Sequence, residues 1–151
     1  MIDELEALYR ARLNEFTRAA TAIAGDRELA LDAVQEAFAK AVRKRRRFRG
    51  DGPLEAWVWR IVVNAARDAR RRRDSAADSR EAVQLDGEPR EPLPLELLSQ
   101  RQREVLFLHY YADLDYETIG AALGISSGTV GATLSTARQK LRTALVKEVA
   151  S

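Results

Sequence analysis

The chain has 151 residues, contains no cysteine and has a single histidine, His109. The absence of cysteine excludes a disulfide framework, a thiolate metal site and a cysteine nucleophile, and any histidine-based metal cluster or Ser-His-Asp triad would have to be built around His109. Hydrophobic residues make up 46% of the chain and charged residues 32%, as in folded domains. No apolar stretch approaches the length of about 18 residues that a membrane span needs. We therefore expect a cytoplasmic protein without membrane insertion, cofactor, bound metal or catalytic residues.

Charge divides the chain into three parts. Residues 1–73 hold 17 Lys/Arg against 11 Asp/Glu, residues 74–94 hold two basic residues against six acidic ones, and residues 95–151 hold six of each kind. A basic block, an acidic segment and a neutral block predict two domains joined by a linker. The acidic segment also contains three of the four prolines and no sustained apolar period, so we expect it to be extended and flexible.

The first block has helical periodicity throughout. Apolar residues recur at three- and four-residue spacing from Leu5 to Ile23, and a second such series follows Asp26, which is a suitable helix cap. The turn signal Gly50–Gly52 ends the second helix, and Pro53 fits the first position of a third. The third helix should end in a run of four arginines and bury one stripe of residues, namely Leu54, Trp57, Val58, Ile61 and Ala65.

The last block has the pattern of a helix-turn-helix. A capping box begins at Ser99, a short helix spans Tyr116–Leu123 and ends at Gly124, and Ser126 can cap a final helix. Two helices joined by a short turn that contains glycine are typical of this motif. No segment shows the alternation of a strand, so the expected fold class is all-α.

Two arginine-rich runs, residues 43–49 and 70–73, flank a helix that contains Trp57 and Trp59, and Phe48 lies inside the first run. Guanidinium groups follow phosphates, and aromatic faces stack on unpaired bases. This composition favours binding of single-stranded nucleic acid over its alternative, a solvated charged face above a core that includes Trp57.

A compact polar patch is predicted on the second helix. Asp32, Gln35 and Glu36 lie at i, i+3 and i+4, on a face distinct from the apolar one. The patch could receive basic groups of a partner protein, or it is a plain solvated helix face. His109 stands beside two tyrosines without a second ligand, which indicates a packed or surface histidine.

Five segments carry a resemblance to a known family. They are Asp32–Phe38 (DAVQEAF), Phe48–Ile61 (FRGDGPLEAWVWRI), Asn64–Asp68 (NAARD), Leu98–Val105 (LSQRQREV) and Tyr116–Ser126 (YETIGAALGIS). In this order, and divided by an acidic linker, they resemble the extracytoplasmic-function (ECF) sigma factors, minimal initiation factors of bacterial RNA polymerase.

The resemblance implies both an architecture and a function. Residues 1–73 would form a helical bundle like sigma domain 2, residues 74–94 an acidic linker that runs toward the RNA exit path, and residues 95–151 a helix-turn-helix domain like sigma domain 4. The chain would bind core polymerase, direct it to specific promoters and assist DNA opening. The implied partners are the clamp of the largest polymerase subunit, the flap of the second-largest subunit, promoter DNA and an anti-sigma factor.

The resemblance also assigns residues to each contact. The polymerase-binding residues would be Asp32, Gln35 and Glu36. The residues that hold a flipped base of the minus-ten element, or face the DNA beside it, would be Phe48, Arg49, Gly50, Asp51, Trp57, Arg60, Asn64, Arg67 and Arg71. The helix-turn-helix residues that contact DNA would be Ser127, Thr129, Thr133, Arg138 and Lys140.

The last helix departs from the family pattern. Family members place basic residues just after the position of Val130, whereas this chain has Gly131, Ala132 and Thr133, and its cations begin at Arg138. Readout of a minus-thirty-five element is then weak and based on shape, or the domain mainly binds protein. Two rival functions are a stand-alone two-domain regulator that binds duplex DNA and an enzyme of nucleic-acid chemistry, which the residue composition disfavours.

Overall fold

The structure, a computed structural model, describes residues 1–76 and 97–150, with side chains through Lys147 in the last helix. The helices in these ranges are α1 (Ile2–Ala24), α2 (Arg27–Arg43), α3 (Leu54–Ala76), α4 (Gln100–Tyr110), α5 (Tyr116–Leu123) and α6 (Ser127–Ala150), and a 3₁₀ turn spans Arg45–Arg47. The described residues contain no strand, which confirms the all-α prediction for this part of the chain. None of these helices has both the length and the apolar character that a bilayer crossing requires.

The first domain is a bundle of α1, α2 and α3, each packed against the other two. Its centre is aromatic: the rings of Phe16 and Trp59 lie 4.2 Å apart, and Phe38 meets Phe16 edge-on at 5.2 Å. Asp26 accepts a hydrogen bond from the backbone N–H of Glu28 and caps α2, as its sequence position predicted.

The buried face of α3 differs from the predicted stripe. Of the predicted stripe, Val58 is fully buried, whereas Leu54, Trp57, Ile61 and Ala65 are partly buried and pack at the edge of the core. Trp59, outside that stripe, is 0% exposed and is not available to stack on bases. The buried residues of α3 are Ala56, Val58, Trp59, Val62, Val63, Ala66 and Ala69. Because α1, α2 and α5 all pack on α3, its buried arc is wider than the single stripe that helical periodicity describes.

The ends of α3 also differ from the prediction. The helix begins at Leu54, and Pro53 precedes it, with the Pro53 carbonyl accepting a hydrogen bond from the Trp57 N–H at 3.3 Å. At its other end α3 continues through Ala76, so residues 74–76 of the predicted linker are helical. The remainder of that linker, residues 77–94, lies outside the described residues.

Local caps define the helices of the second domain. Ser99 and Gln102 form the predicted capping box at the start of α4. Asp115 accepts a hydrogen bond from the Thr118 N–H at 2.8 Å and caps α5. Ser126 does the same for the Thr129 N–H at 3.1 Å and caps α6. Each cap satisfies a backbone donor that has no partner inside its own helix.

Two glycines fix the turn between α5 and α6. Gly124 ends α5 with φ 73°, a left-handed conformation that glycine adopts without steric cost. The Ile125 N–H donates to the Gly120 carbonyl at 2.9 Å, and a Cβ atom on Gly120 would lie 2.5 Å from the Ile125 carbonyl oxygen. The turn therefore packs directly on α5, which fixes the geometry of the helix-turn-helix.

The two domains are in contact. α3 packs against α5, and α1 packs against α4. Arg12, where the backbone of α1 leaves helical geometry, donates to the carbonyl of Ala112 at 3.0 Å and forms an ion pair with Glu55 at 3.3 Å. One arginine thus joins α1 both to α3 and to the segment that follows α4.

Candidate functional site

The α2 patch, defined as Asp32, Gln35 and Glu36, is exposed as a whole. Its residues lie opposite the alanine-rich face with which α2 packs into the bundle. Leu31, 37% exposed, is one turn from Gln35 and adds an apolar side chain to the edge of the patch. Sequence reasoning missed Leu31 because the patch was chosen by polar residue type, and Leu31 is apolar. The patch combines negative charge, an amide and an apolar contact, which suits a basic protein surface.

The loop between α2 and α3 brings together the candidates for an unpaired base. The rings of Phe48 and Trp57 lie 5.5 Å apart, and both residues are half-buried. Arg49, Gly50 and Asp51 are exposed beside them, and Gly50 has φ 76°, a conformation that side-chain-bearing residues rarely adopt. An aromatic pair beside an exposed loop with a guanidinium group has the chemistry that a splayed-out base requires.

The predicted DNA face of α3 consists of Arg60, Asn64, Arg67 and Arg71, which are spaced to share one side of the helix. Arg60, Asn64 and Arg71 are exposed, but Arg67 is not. Arg60 adjoins the second domain, because its Nη2 lies 2.8 Å from the position that a Cβ atom on Gly124 would take. This face therefore runs along the boundary between the domains.

Arg67 is bound to the second domain in this structure. Its Nε donates to Oε2 of Glu104 at 2.7 Å, and its Nη2 donates to Oε1 at 2.6 Å. Glu104 is 2% exposed and also accepts a hydrogen bond from Gln100 at 3.2 Å. No signal in the sequence identifies Glu104, because its partner lies 37 residues earlier on another helix. DNA contact by Arg67 stays a prediction, and it requires this pair to separate.

A cleft of about 210 Å³ lies beside this pair, with walls from both domains. Arg70 of α3 and Arg103 of α4 line it together with Arg67 and Glu104. Burial lowers the pKa of Arg70, and the positive charge of Arg103 lowers it further, whereas Asp74 acts in the opposite direction. Like charges therefore meet across the domain boundary within the same cleft.

The two arginine runs are not uniformly directed outward. In the second run, Arg70 donates to the Ile23 carbonyl at 3.4 Å and Arg73 covers Gly25, so both serve the C-terminal end of α1. Arg71 and Arg72 of the same run are exposed. Arg71 forms an exposed ion pair with Asp68, and Arg72 donates to the Asp68 backbone carbonyl at 3.5 Å, so both stay at the surface, where a phosphate can reach them.

The first run concentrates positive charge. Arg45 donates to a carbonyl in the last turn of α2 at 2.7 Å, whereas Arg43, Arg46 and Arg47 are exposed. Crowding by cations, Lys40 foremost, lowers the pKa of Lys44. Such crowding is the electrostatic feature that attracts a polyanion.

Two hydroxyl groups in the first three turns of α6 are already hydrogen-bonded, one to the cap residue and one within the helix. The Thr129 hydroxyl lies 2.8 Å from that of Ser126, and the Thr136 hydroxyl donates to the Ala132 carbonyl at 3.0 Å. Ser127 and Thr129 are exposed as predicted, and Thr133 is half-buried. The exposed surface of these turns is small and uncharged.

Two cations of α6 have hydrogen-bond partners on α4. Arg138 donates to the Tyr110 hydroxyl at 2.7 Å and lies over the same ring, 5.4 Å from its centre. Lys140 donates to Gln102 at 3.2 Å. Each of the two residues therefore has a partner in its own domain, and the expected DNA contacts of Arg138 and Lys140 stay a prediction.

Within residues 1–76 and 97–150, no group of three or more His, Cys, Asp and Glu residues is placed to hold a metal ion. His109 packs against aromatic rings, 4.9 Å from Tyr110 and 5.7 Å from Tyr116 between ring centres.

Both halves of the chain match sigma-factor families. Residues 8–76 match Sigma-70 region 2, and residues 95–141 match Sigma-70, region 4. The ECF RNA polymerase sigma factor EcfG of Rhodopseudomonas palustris is 31% identical over 81% of this chain and 74% of its own length. The ECF RNA polymerase sigma-E factor of Escherichia coli K12 is 32% identical over 73% of this chain and 70% of its own length.

Solved structures have the same fold. The sigma factor RpoE in complex with the anti-sigma factor NepR, from Bartonella quintana, superposes with a TM-score of 0.71 at 26% identity, over 94% of this chain and 96% of that one. CnrH in complex with the cytosolic domain of CnrY also gives a TM-score of 0.71, at 25% identity, over 95% of this chain and 88% of that one. With sigma-70 regions 2 and 4 in order and relatives of this kind, the chain belongs to the ECF sigma factors, the subunits that direct bacterial RNA polymerase to promoters.

Proposed function

We propose that this sigma factor binds core RNA polymerase through the α2 patch and uses the loop and outer face of α3 to hold the melted minus-ten strand. The observation that carries the first part is the complete exposure of Asp32, Gln35 and Glu36 on a helix whose other face is core. The partner surface is the clamp of the largest subunit. Opposite charge on the two surfaces steers their encounter and fixes their register.

Promoter opening is assigned to the first domain. The Phe48 and Trp57 rings, together with the exposed loop at Arg49–Asp51, supply stacking groups and a guanidinium for one extruded base. Extruding a base costs a few kcal/mol, and stacking on aromatic groups contributes about 1–3 kcal/mol per base. Arg60, Asn64, Arg67 and Arg71 would follow the backbone of the same strand.

We assign the second domain a smaller role than the first in recognising the promoter sequence. Arg138 and Lys140 are bonded to α4, and the hydroxyls of Thr129 and Thr136 are bonded within α6. A bidentate contact with a base needs a free guanidinium or amide group. These observations favour a domain that contacts DNA weakly and binds protein, in this case the polymerase flap.

The chain itself would catalyse no reaction, would act in the cytoplasm and would be held inactive by an anti-sigma factor. The last point is supported by RpoE, which was solved in complex with one such factor.

Competition for core polymerase tests the assignment of the α2 patch. The variant Gln35→Ala/Glu36→Arg places a cation where a basic partner surface is expected, and like charges across an interface cost several kcal/mol. We expect its affinity for core, measured against labelled unmodified chain, to fall by at least about tenfold. Glu4→Arg, the same charge reversal at an exposed site of α1, is the control and should compete normally.

Co-elution of the parent chain with purified core polymerase separates the rival functions. A stand-alone regulator would not co-elute with purified core polymerase at all. Equal competition by the double variant and the control would remove the α2 patch as the polymerase contact.

A further inference from the structure

The cleft between α3 and α4 has more positive than negative charge in its walls. Its charged lining residues are Arg67, Arg70, Arg71, Asp74, Arg103 and Glu104. Four guanidinium groups against two carboxylates leave a net charge of +2 in the lining. Like charges held together in a partly buried space repel one another, and an anion between them relieves that repulsion. The cleft therefore has the electrostatics of an anion site.

Two of the four arginines already have a carboxylate partner. Arg67 donates two hydrogen bonds to Glu104, and Arg71 forms an ion pair with Asp68. These two guanidinium groups are largely neutralised where they stand. The charge that is left for a ligand belongs to the other two arginines of the cleft, Arg70 and Arg103.

Arg70 and Arg103 have weaker compensation. The Nε of Arg70 lies 3.9 Å from Asp74, and its Nη1 donates to the Ile23 carbonyl at 3.4 Å, both longer than a well-formed charge-assisted hydrogen bond. Asp74 also lies 3.7 Å from Arg73, so its single charge is divided between two guanidinium groups. In the described part of the chain, Arg103 has no ion-pair partner. Burial, and next the positive charge of Arg103, lower the pKa of Arg70, as expected for two cations without an anion between them.

Apolar side chains complete the walls of the cleft. Ile23 of α1 and Phe107 of α4 line it, and each is only 4% exposed. Apolar walls lower the local dielectric, so they strengthen the attraction between the arginines and an anion that enters. The volume of about 210 Å³ is smaller than the roughly 300–1,000 Å³ of pockets for drug-sized ligands. The site therefore suits a small anion.

We propose that this cleft binds a phosphate dianion, either inorganic phosphate or the phosphate group of a small phosphomonoester, between Arg70 of α3 and Arg103 of α4. A phosphomonoester carries a charge of about −1.5 to −2 at pH 7, which matches the net charge of the lining, and it offers three strong acceptor oxygens. The planar guanidinium group is suited to bidentate recognition of phosphate. Neither Arg70 nor Arg103 is assigned as a contact to polymerase or promoter DNA, so the site goes beyond the proposed function.

Titration of the full-length chain with sodium phosphate, followed by isothermal calorimetry at about pH 8, where phosphate is a dianion, tests the site. We expect saturable binding of one phosphate per chain. Arg103→Gln removes one half-buried guanidinium from the cleft and should weaken binding by about tenfold or more. Arg142→Gln, the same substitution at an exposed site of α6, is the control and should bind like the parent.

Asp74→Asn should change the affinity in the opposite direction. It removes a carboxylate from the lining and should tighten phosphate binding by about threefold or more. Because a gain of affinity requires a folded cleft, this variant keeps the test decisive even if Arg103→Gln weakens the second domain. Parent-like affinity in Arg103→Gln, or weaker binding in Asp74→Asn, would overturn the proposal.

Two further probes identify what the cleft accepts. Adenosine monophosphate that binds more tightly than inorganic phosphate, and loses this affinity in Arg103→Gln, identifies a phosphomonoester as the ligand, whereas equal or weaker binding identifies inorganic phosphate. A fluorescein-labelled single strand of DNA should bind the parent and Arg103→Gln equally, because Arg103 is not among the assigned DNA contacts. Loss of strand binding together with phosphate binding would assign the cleft to the path of DNA and refute a separate phosphate site.

Discussion

Two tryptophans that are two residues apart on α3 have opposite surroundings. Trp59 has no exposed surface, stacks on Phe16 and places its ring N–H 3.4 Å from a carboxylate oxygen of Glu55. Trp57 lies at the surface beside Phe48. Sequence alone assigns both rings to one aromatic-rich helix, but only packing separates a core ring from a ring that is free to stack on a base.

Substitution of each tryptophan should therefore affect a different property. Trp59→Ala removes the largest fully buried side chain and should lower the free energy of unfolding by about 3–5 kcal/mol. Trp57→Ala should cost about 1 kcal/mol of stability but weaken binding to melted promoter DNA. Chemical denaturation and single-strand binding measure the two effects. Equal loss of stability in both variants would contradict this division.

Asp115 gives the second domain a pH-dependent cap. Hydrogen bonds from the Thr118 backbone and side chain lower the pKa of Asp115 below its ordinary value. Because the folded-state pKa is depressed, the stabilisation is present above the pKa of the unfolded chain and is lost as the pH falls through the folded value. Asparagine does not titrate, so the melting temperature of the Asp115→Asn variant should fall less than that of the parent chain when the pH is lowered below about 3.9. An unchanged acid dependence would contradict the role of this cap.

Helix ends were predictable where the signal is local. Asp26, Ser99, Ser126 and Gly124 each act within three or four residues of their own position, and each acts where the sequence predicted. The end of α3 was not predictable, because arginines and the residues after them continue a helix as readily as they end one.

The surface of the recognition helix α6 predicts that the minus-ten element contributes more to promoter recognition than the minus-thirty-five element does. Its outward surface lacks a free guanidinium or amide in the first two turns, and each good bidentate contact is worth roughly 1–3 kcal/mol of discrimination. Scrambling the minus-ten sequence should abolish initiation, whereas scrambling the minus-thirty-five sequence should reduce it only modestly. Transcription from a matched promoter set checks this. An upstream substitution as costly as the worst minus-ten substitution would mean that α6 reads bases.

The second arginine run should respond to neutralisation in two ways. Arg71→Gln/Arg72→Gln should lower the salt dependence of binding to melted promoter DNA, by a logarithmic slope of about 0.7 for each phosphate that the chain no longer neutralises. Arg70→Gln/Arg73→Gln, the matched pair directed at α1, should instead reduce stability. Titration at several salt concentrations measures the slope. A slope near zero for the parent chain would mean that the runs are only solvated surface.

At the scale of the whole molecule, the sequence predicted two helical domains and their family but not how the domains meet. Arg67 and Glu104 look like ordinary surface residues in their own segments, since arginine and glutamate are both expected in water. Their pairing depends on the tertiary contact of α3 with the second domain, and no periodicity, cap or charge run encodes that contact. The same contact makes Arg67, one of the four residues of the predicted DNA face of α3, less accessible than its sequence indicates.

Run-off transcription with purified core polymerase on genomic fragments tests the central claim most directly. With the chain present, we expect transcripts that start at a small set of discrete sites with a shared minus-ten sequence, and no such transcripts with core alone. Gln35→Ala/Glu36→Arg should reduce all of them together, because core binding precedes promoter choice. The same start sites with and without the chain would contradict the account.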